Sequence, residues 1–93
     1  MALDKLLTYS KHHAPILHTS IFPDNERILS SDDDNIVHVW HAETGETLKV
    51  IPLNERSHTI QLLSNGIHFI SCNEYGLHVW DIETGTKLNS FGQ

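Results

Sequence analysis

The sequence predicts an all-β protein built from two four-stranded antiparallel units, on three observations. First, the chain repeats itself: His38-Val39-Trp40 recurs as His78-Val79-Trp80, and after two intervening residues each copy continues Glu-Thr-Gly. A slide of forty positions also aligns His18 with His58, Thr19 with Thr59, Asn25 with Asn65, Ser31 with Ser71 and Leu48 with Leu88, and sets Val37 against Leu77 and Ile51 against Phe91. Second, apolar residues alternate with period two and are rich in β-branched and aromatic types, with no helical stripe. Third, turn chemistry interrupts this pattern every eight to ten residues or so. A repeat of this length cannot bury its own apolar faces and needs neighbours stacked against it.

Taken in order, the first unit reads as a strand near Ala14 to Phe22, a Pro23-Asp24-Asn25 turn, a strand Arg27 to Ser31, an acidic turn Asp32 to Asn35, a strand Ile36 to His41, a Glu43-Thr44-Gly45 turn and a strand Thr47 to Leu53. The second unit reads as strands His58 to Leu63, Ile67 to Cys72, Leu77 to Ile82 and Lys87 to Phe91. Its turns are Asn65-Gly66, which suits the positive φ angles of a type I′ hairpin, Asn73 to Gly76, and Glu83-Thr84-Gly85. At the amino terminus, residues 5–10 (Lys-Leu-Leu-Thr-Tyr-Ser) parallel Lys87 to Gly92 in their Lys-Leu start and in the spacing to an aromatic residue. They are expected to form the outer strand of a preceding unit. The organisation expected is one segment, 1–93, divided as 5–10, a first unit 11–53 and a second unit 54–93.

Composition excludes several function classes. The 93 residues hold 12 acidic and 6 basic side chains for a formal charge of −6, which opposes binding to a phosphate backbone. No apolar run is long enough to cross a membrane as a helix, and the first ten residues carry Asp4 and Lys5 where a secretory segment would be apolar. The expected setting is therefore intracellular, cytoplasmic or nuclear. Cys72, the single cysteine, cannot form an internal disulfide and reads as a small core filler.

Four short strands per repeat, the Glu-Thr-Gly turns and the pair Trp80-Asp81 together resemble the WD-repeat family of β-propellers. Ile21-Phe22-Pro23-Asp24-Asn25 is similar to the family's Phe-Ser-Pro-Asp-Gly turn with one residue missing, and Leu29-Ser30-Ser31 followed by Asp34 is similar to its second strand and tight turn. Family members brace each blade with a hydrogen-bonded His, Ser or Thr, Asp and Trp. The resemblance places these on His13, with His12 as alternative; on Ser30, with Ser31 favoured by the internal repeat; and on Asp34 and Trp40. In the second unit it places Ser71, Glu74, Trp80 and Asp81. That unit departs from the pattern in having Glu74 for the turn Asp and no His at the expected distance before Trp80, while in the first unit His41 stands where Asp follows Trp. The second unit is accordingly expected to rest on packing by Leu62, Phe69, Leu77, Val79 and Trp80.

The motifs offer little catalytic chemistry. Eight histidines raise the question of a metal, yet no spacing matches a paired-Cys or His-Glu-x-x-His site, and repetition accounts for His38 and His78. Asp32-Asp33-Asp34 lacks the Gly and distal Glu of a calcium loop. No nucleophile elbow and no phosphate-cradling glycine loop occur. No enzyme, cofactor or metal is expected. Loops of one propeller face supply the contact candidates: Arg56 and Tyr75 first, as residue types favoured at interfaces, then Asp32, Asp33, His12 and Asn54.

A closed propeller needs about four to eight blades, and this chain has two. The expectation is thus a non-catalytic protein-interaction or scaffold segment of an incomplete propeller. Further blades would come from a protein partner or from self-association into a ring. A truncated remnant without independent activity, or less favourably a histidine-based metal-binding protein, are the alternatives.

Overall fold

The computed structural model describes residues 9–92. Eight strands run in chain order: β1 (Ile16–Ile21), β2 (Arg27–Asp32), β3 (Ile36–His41), β4 (Thr47–Pro52), β5 (Thr59–Leu62), β6 (His68–Asn73), β7 (Gly76–Asp81) and β8 (Thr86–Gly92). They form two four-stranded sheets, β1-β2-β3-β4 and β5-β6-β7-β8, with every neighbouring pair antiparallel. Each sheet is a blade, and the two do not close into a ring. The expected strand at residues 5–10 lies outside the described residues as far as residue 8; Tyr9 and Ser10 are not in a strand.

Register shows where the forty-residue period slips. Ser30 pairs with His38 in the first blade and Ser71 with His78 in the second, so Ser71 is the counterpart of Ser30 and not of Ser31. The cause is the turn that follows. In blade two, Asn73 pairs with Gly76 around a two-residue turn of Glu74 and Tyr75. Blade one uses Asp33, Asp34 and Asn35 there, with Asn35 in the left-handed region at φ 62°. One extra residue shifts every equivalence upstream.

The first hairpin of each blade obeys the shifted register. Gly66, at φ 68°, matches Asn25, at φ 59°, while the Asn65 and Asp24 side chains each accept two backbone N–H groups of their own turn. The expected type I′ turn is therefore not formed. Because its carboxamide oxygen is held by Ile67 N–H and His68 N–H, Asn65 stays out of the left-handed region, and Gly66 alone enters it.

Two apolar layers follow from period-two alternation. Leu29, Val37, Val39 and Ile51 of blade one pack against Ile60, Phe69, Trp80 and Ile82 of blade two, with Phe22, Leu53 and the half-buried Leu62 completing this inter-blade core. The opposite face of blade one gathers Ile28, Trp40 and Ala42 under Tyr9. Leu77 and Val79 were expected in the core of blade two, but lie only half-buried: they alternate with Trp80 along β7 and so face away from blade one.

Phe69 is fully buried at the centre of the inter-blade core, with its ring parallel to that of Trp80 at 5.8 Å between centroids. Phe69→Ala is expected to cost about 3–5 kcal/mol, a large share of the stability of a small domain, read as a lowered urea midpoint.

Candidate functional site

A polar relay is buried where the segment before β1 meets β2 and β3. Trp40 Nε1–H donates to Ser30 Oγ at 3.0 Å, Ser30 Oγ lies 2.6 Å from His12 Nε2, and His12 Nδ1 lies 2.7 Å from Asp32 Oδ2. An indole N–H can only donate, so the Ser30 oxygen accepts it. The Ser30 hydroxyl then donates to Nε2 of an imidazole that carries its proton on Nδ1, and that Nδ1–H donates to Asp32. The second carboxylate oxygen, Oδ1, accepts the backbone N–H groups of Asp34 at 2.9 Å and Ile36 at 3.2 Å. Burial pushes the Asp32 carboxyl pKa up, but the bonds from His12, Ile36 and Asp34 outweigh it and hold the group below its ordinary 3.8.

Ser30 and Trp40 thus stand in the relay, whereas His13 and Asp34 do not. His12 takes the imidazole position and His13 is exposed. Asp34 is also exposed and supplies only its backbone N–H. The reason is alternation: Ile28, Ser30 and Asp32 share one face of β2 with Trp40 of β3, so the carboxylate two residues beyond Ser30 is the one that points inward. Ser31 points to the other face, where its hydroxyl meets His18 Nδ1 at 3.2 Å.

Blade two keeps one bond of this set. Trp80 Nε1–H donates to Ser71 Oγ at 2.9 Å. Asn73 replaces Asp32, donating from Nδ2 to the Arg56 carbonyl at 2.9 Å and accepting Tyr75 N–H at 2.8 Å. Glu74 is exposed and pairs with His58 at 2.9 Å, and Asp81 caps its own turn through Glu83 N–H and Thr84 N–H. Neither acid reaches Trp80. Among the described residues no buried side-chain nitrogen or oxygen lacks a partner.

The order Ser30, His12, Asp32 is that of an acyl-transfer relay, but its environment denies it that chemistry. Ser30 is fully buried and its oxygen already holds the Trp40 N–H, so no carbonyl carbon can approach it. Next to the relay, the His38 ring stacks on His12 at 3.7 Å, and Tyr9 Oη reaches His38 Nδ1 at 2.9 Å and Thr47 Oγ1 at 2.7 Å. Burial, together with the neighbouring His12, lowers the His38 pKa from 6.5 to about 4. Ligand-type atoms of His12, Asp32 and His38 fall within 4.8 Å of one another. Both ring nitrogens of His12 are, however, engaged by Asp32 and Ser30, so ligation there would dismantle the relay.

The contact candidates separate into two groups. His12 and Asp32 drop out, since each side chain is 2% exposed and bonded inside the blade. Arg56, Asn54, Asp33 and Tyr75 are exposed. Asp33 and Arg56 line one groove between the blades with Leu17, Asn35, Ser57 and His58. Tyr75 sits elsewhere, beside Leu77 and Phe91 on the outer flank of blade two. The sequence pattern gives neither Tyr9, read as part of an outer strand, nor Glu55, read as a loop residue, a bonding role. Tyr9 bridges His38 and Thr47; Glu55 bridges their counterparts, at 3.2 Å to His78 and 2.6 Å to Lys87. The forty-residue spacing of both pairs was the available signal.

No protein-family profile matches the chain. The chain is 31% identical over 88 residues to a probable inactive serine/threonine-protein kinase (lvsG) of Dictyostelium discoideum, and 26% identical over 92 residues to transducin beta-like protein 3 of Mus musculus. These matches cover 89% and 86% of the chain but only 4% and 12% of those proteins. Among solved structures, the WD40 repeats of RRP9 and the U3-55K structure each superpose with a TM-score of 0.77 at 22% identity, covering 91% of this chain and 28% of theirs. The chain therefore spans a small part of each protein it resembles.

Ser30→Ala should cost more than Ser71→Ala, because the first strands two buried groups, Trp40 Nε1–H and His12 Nε2, and the second strands one. At about 1–3 kcal/mol per buried group left unpaired, chemical denaturation should resolve the difference. His38 adds a pH signature. With its folded pKa near 4 and its unfolded value near 6.5, the unfolded chain binds the proton more readily. Its contribution is complete above about pH 6.5 and is lost as pH falls toward 4. The melting temperature should fall across that window in the wild type and fall less in His38→Gln; loss from the lowered Asp32 follows only below its ordinary 3.8.

Proposed function

Because the chain is folded as two blades of the WD40-repeat β-propeller, we propose that it works as a non-catalytic protein-interaction segment, a piece of scaffold completed by blades that a protein partner supplies. The observation that carries this reading is the outer flank of blade two. Leu29, Val37, Val39 and Ile51 of blade one are covered by blade two, and register makes Ile70, Leu77, Val79 and Phe91 their counterparts in blade two. Ile70, Leu77 and Val79 are only half-buried, and Phe91 is 59% exposed. A contiguous apolar face of this kind marks a surface made to be covered.

The sealed Ser30, His12 and Asp32 relay supports a role without catalysis, and the acidic balance supports a protein rather than a nucleic acid as partner. No helix among the described residues is long and apolar enough to cross a membrane. An intracellular setting, cytoplasmic or nuclear, belongs to the same reading, as does the free thiol of Cys72. The groove of Asp33 and Arg56 between the blades offers a separate polar surface for contact, and Tyr75 borders the apolar flank itself.

An environment-sensitive dye tests the reading. The wild-type chain should bind anilinonaphthalene sulfonate in its folded state, and Leu77→Glu should abolish most of that binding with little change in melting temperature. Unchanged dye binding in Leu77→Glu, or none in the wild type, would count against an open interaction face.

A further inference from the structure

The chain carries two flanks that are complementary by construction. Inside the molecule, the face bearing Leu29, Val37, Val39 and Ile51 is covered by the face bearing Phe69, Trp80 and Ile82. Register repeats the first face in blade two as Ile70, Leu77, Val79 and Phe91, and the second in blade one as Ile28, Trp40 and Ala42. A second copy placed head to tail would thus bring apolar residues together at the register positions of the interface already present, with Trp40 in the place of Trp80 and Val79 in the place of Val39. Such a heterologous contact propagates into a ring or a filament. Among the described residues, Tyr9 stands in the way at Trp40, beside the His12 ring that covers His38. The Tyr9 ring lies parallel to Trp40 with 4.1 Å between centroids and 3° between planes, and Tyr9 itself is 9% exposed.

We propose that Tyr9 is an intramolecular plug that keeps copies of this chain from stacking head to tail, by occupying the Trp40 flank that the Phe91 face of a second copy would otherwise cover. The proposal rests on the propeller-segment reading and adds which neighbour is refused. Tyr9 holds its place by more than ring contact: its hydroxyl meets His38 Nδ1 at 2.9 Å and Thr47 Oγ1 at 2.7 Å, and its edge meets the rings of His12 and His38. Phe91 of an incoming copy has no hydroxyl to replace those bonds. Tyr9 is also tethered, so it competes at a high effective concentration that a free second copy does not match in dilute solution. The outward flank of blade two is left open to other partners, while its best match within a population of identical chains is closed.

Light scattering coupled to size-exclusion chromatography tests the plug on the full chain. The wild type should elute with the mass of one chain across a dilution series. Tyr9→Ala should elute with the mass of two or more chains, reversibly on dilution, and Tyr9→Ala combined with Phe91→Glu should return to one. A folded Tyr9→Ala that stays monomeric overturns the proposal. So does a double variant that still associates, which would mean unspecific adhesion of exposed Trp40, and so does a wild type already associated through Phe91. If Tyr9→Ala loses its strand signal in circular dichroism, Tyr9→Phe decides: it keeps the ring and deletes both hydroxyl bonds. It should associate at lower concentration than the wild type and be reversed by Phe91→Glu, and a monomer at every concentration overturns the plug. Failure here is distinguishable from failure of the broader reading: Leu77→Glu reports on the open flank of blade two whether or not Tyr9 guards that of blade one.

Discussion

Each sheet of this protein is apolar on both faces, and covering those faces is the constraint from which the rest of the structure follows. A four-stranded sheet with one wet face would alternate apolar and polar residues along every strand. Here β2 and β3 are buried on both sides, so their residues face a neighbour whichever way they point. Blade two answers one side of blade one. Tyr9 and the polar relay answer the other, and the far side of blade two is answered by nothing within the described residues.

The two ways of covering a face differ in kind. Between the blades the contact is aliphatic and aromatic, tolerant of exchange among Leu, Ile and Val, and it repeats along the chain. Under Tyr9 it is built around Trp40, whose N–H must be satisfied once the ring is out of water, and the chain of Ser30, His12 and Asp32 extends from that requirement. Blade two meets the same requirement for Trp80 with Ser71 alone. Its counterpart to Asp32 is Asn73, a neutral side chain that can donate as well as accept and that ties the inter-blade loop through the Arg56 carbonyl. The charged network of one blade is thereby traded for a backbone tether in the other.

Much of this was written in the sequence. The alternating pattern located all eight strands to within about two residues at their ends, and it was the resemblance to WD repeats that pointed to Ser30 (with Ser31 as alternative), Ser71, Trp40 and Trp80. The relay's other members were harder to read for one physical reason. A gapless period of forty cannot register a turn that is one residue longer in the first blade, so it favoured Ser31 over Ser30 as the partner of Ser71. Alternation from Ser30 to Asp32 on β2 was the cue that would have replaced Asp34. His12 and His13 are adjacent, and only the path of the segment before β1 selects between them. Tyr9 stood in the sequence as part of a strand motif, and its stacking on Trp40 is a tertiary fact that no local pattern encodes.

The close crossing of Gly76 and Gly92 bears on how the exposed end of blade two behaves. A methyl group built on Gly76 would stand 2.3 Å from the Phe91 carbonyl oxygen, and one on Gly92 would stand 2.6 Å from the Gly76 α-carbon, so these backbones touch as only glycines can. Pinned there, the last described stretch of β8 holds the backbone beside Phe91 to one path. A contact made on that rim would therefore have little main-chain freedom to take away.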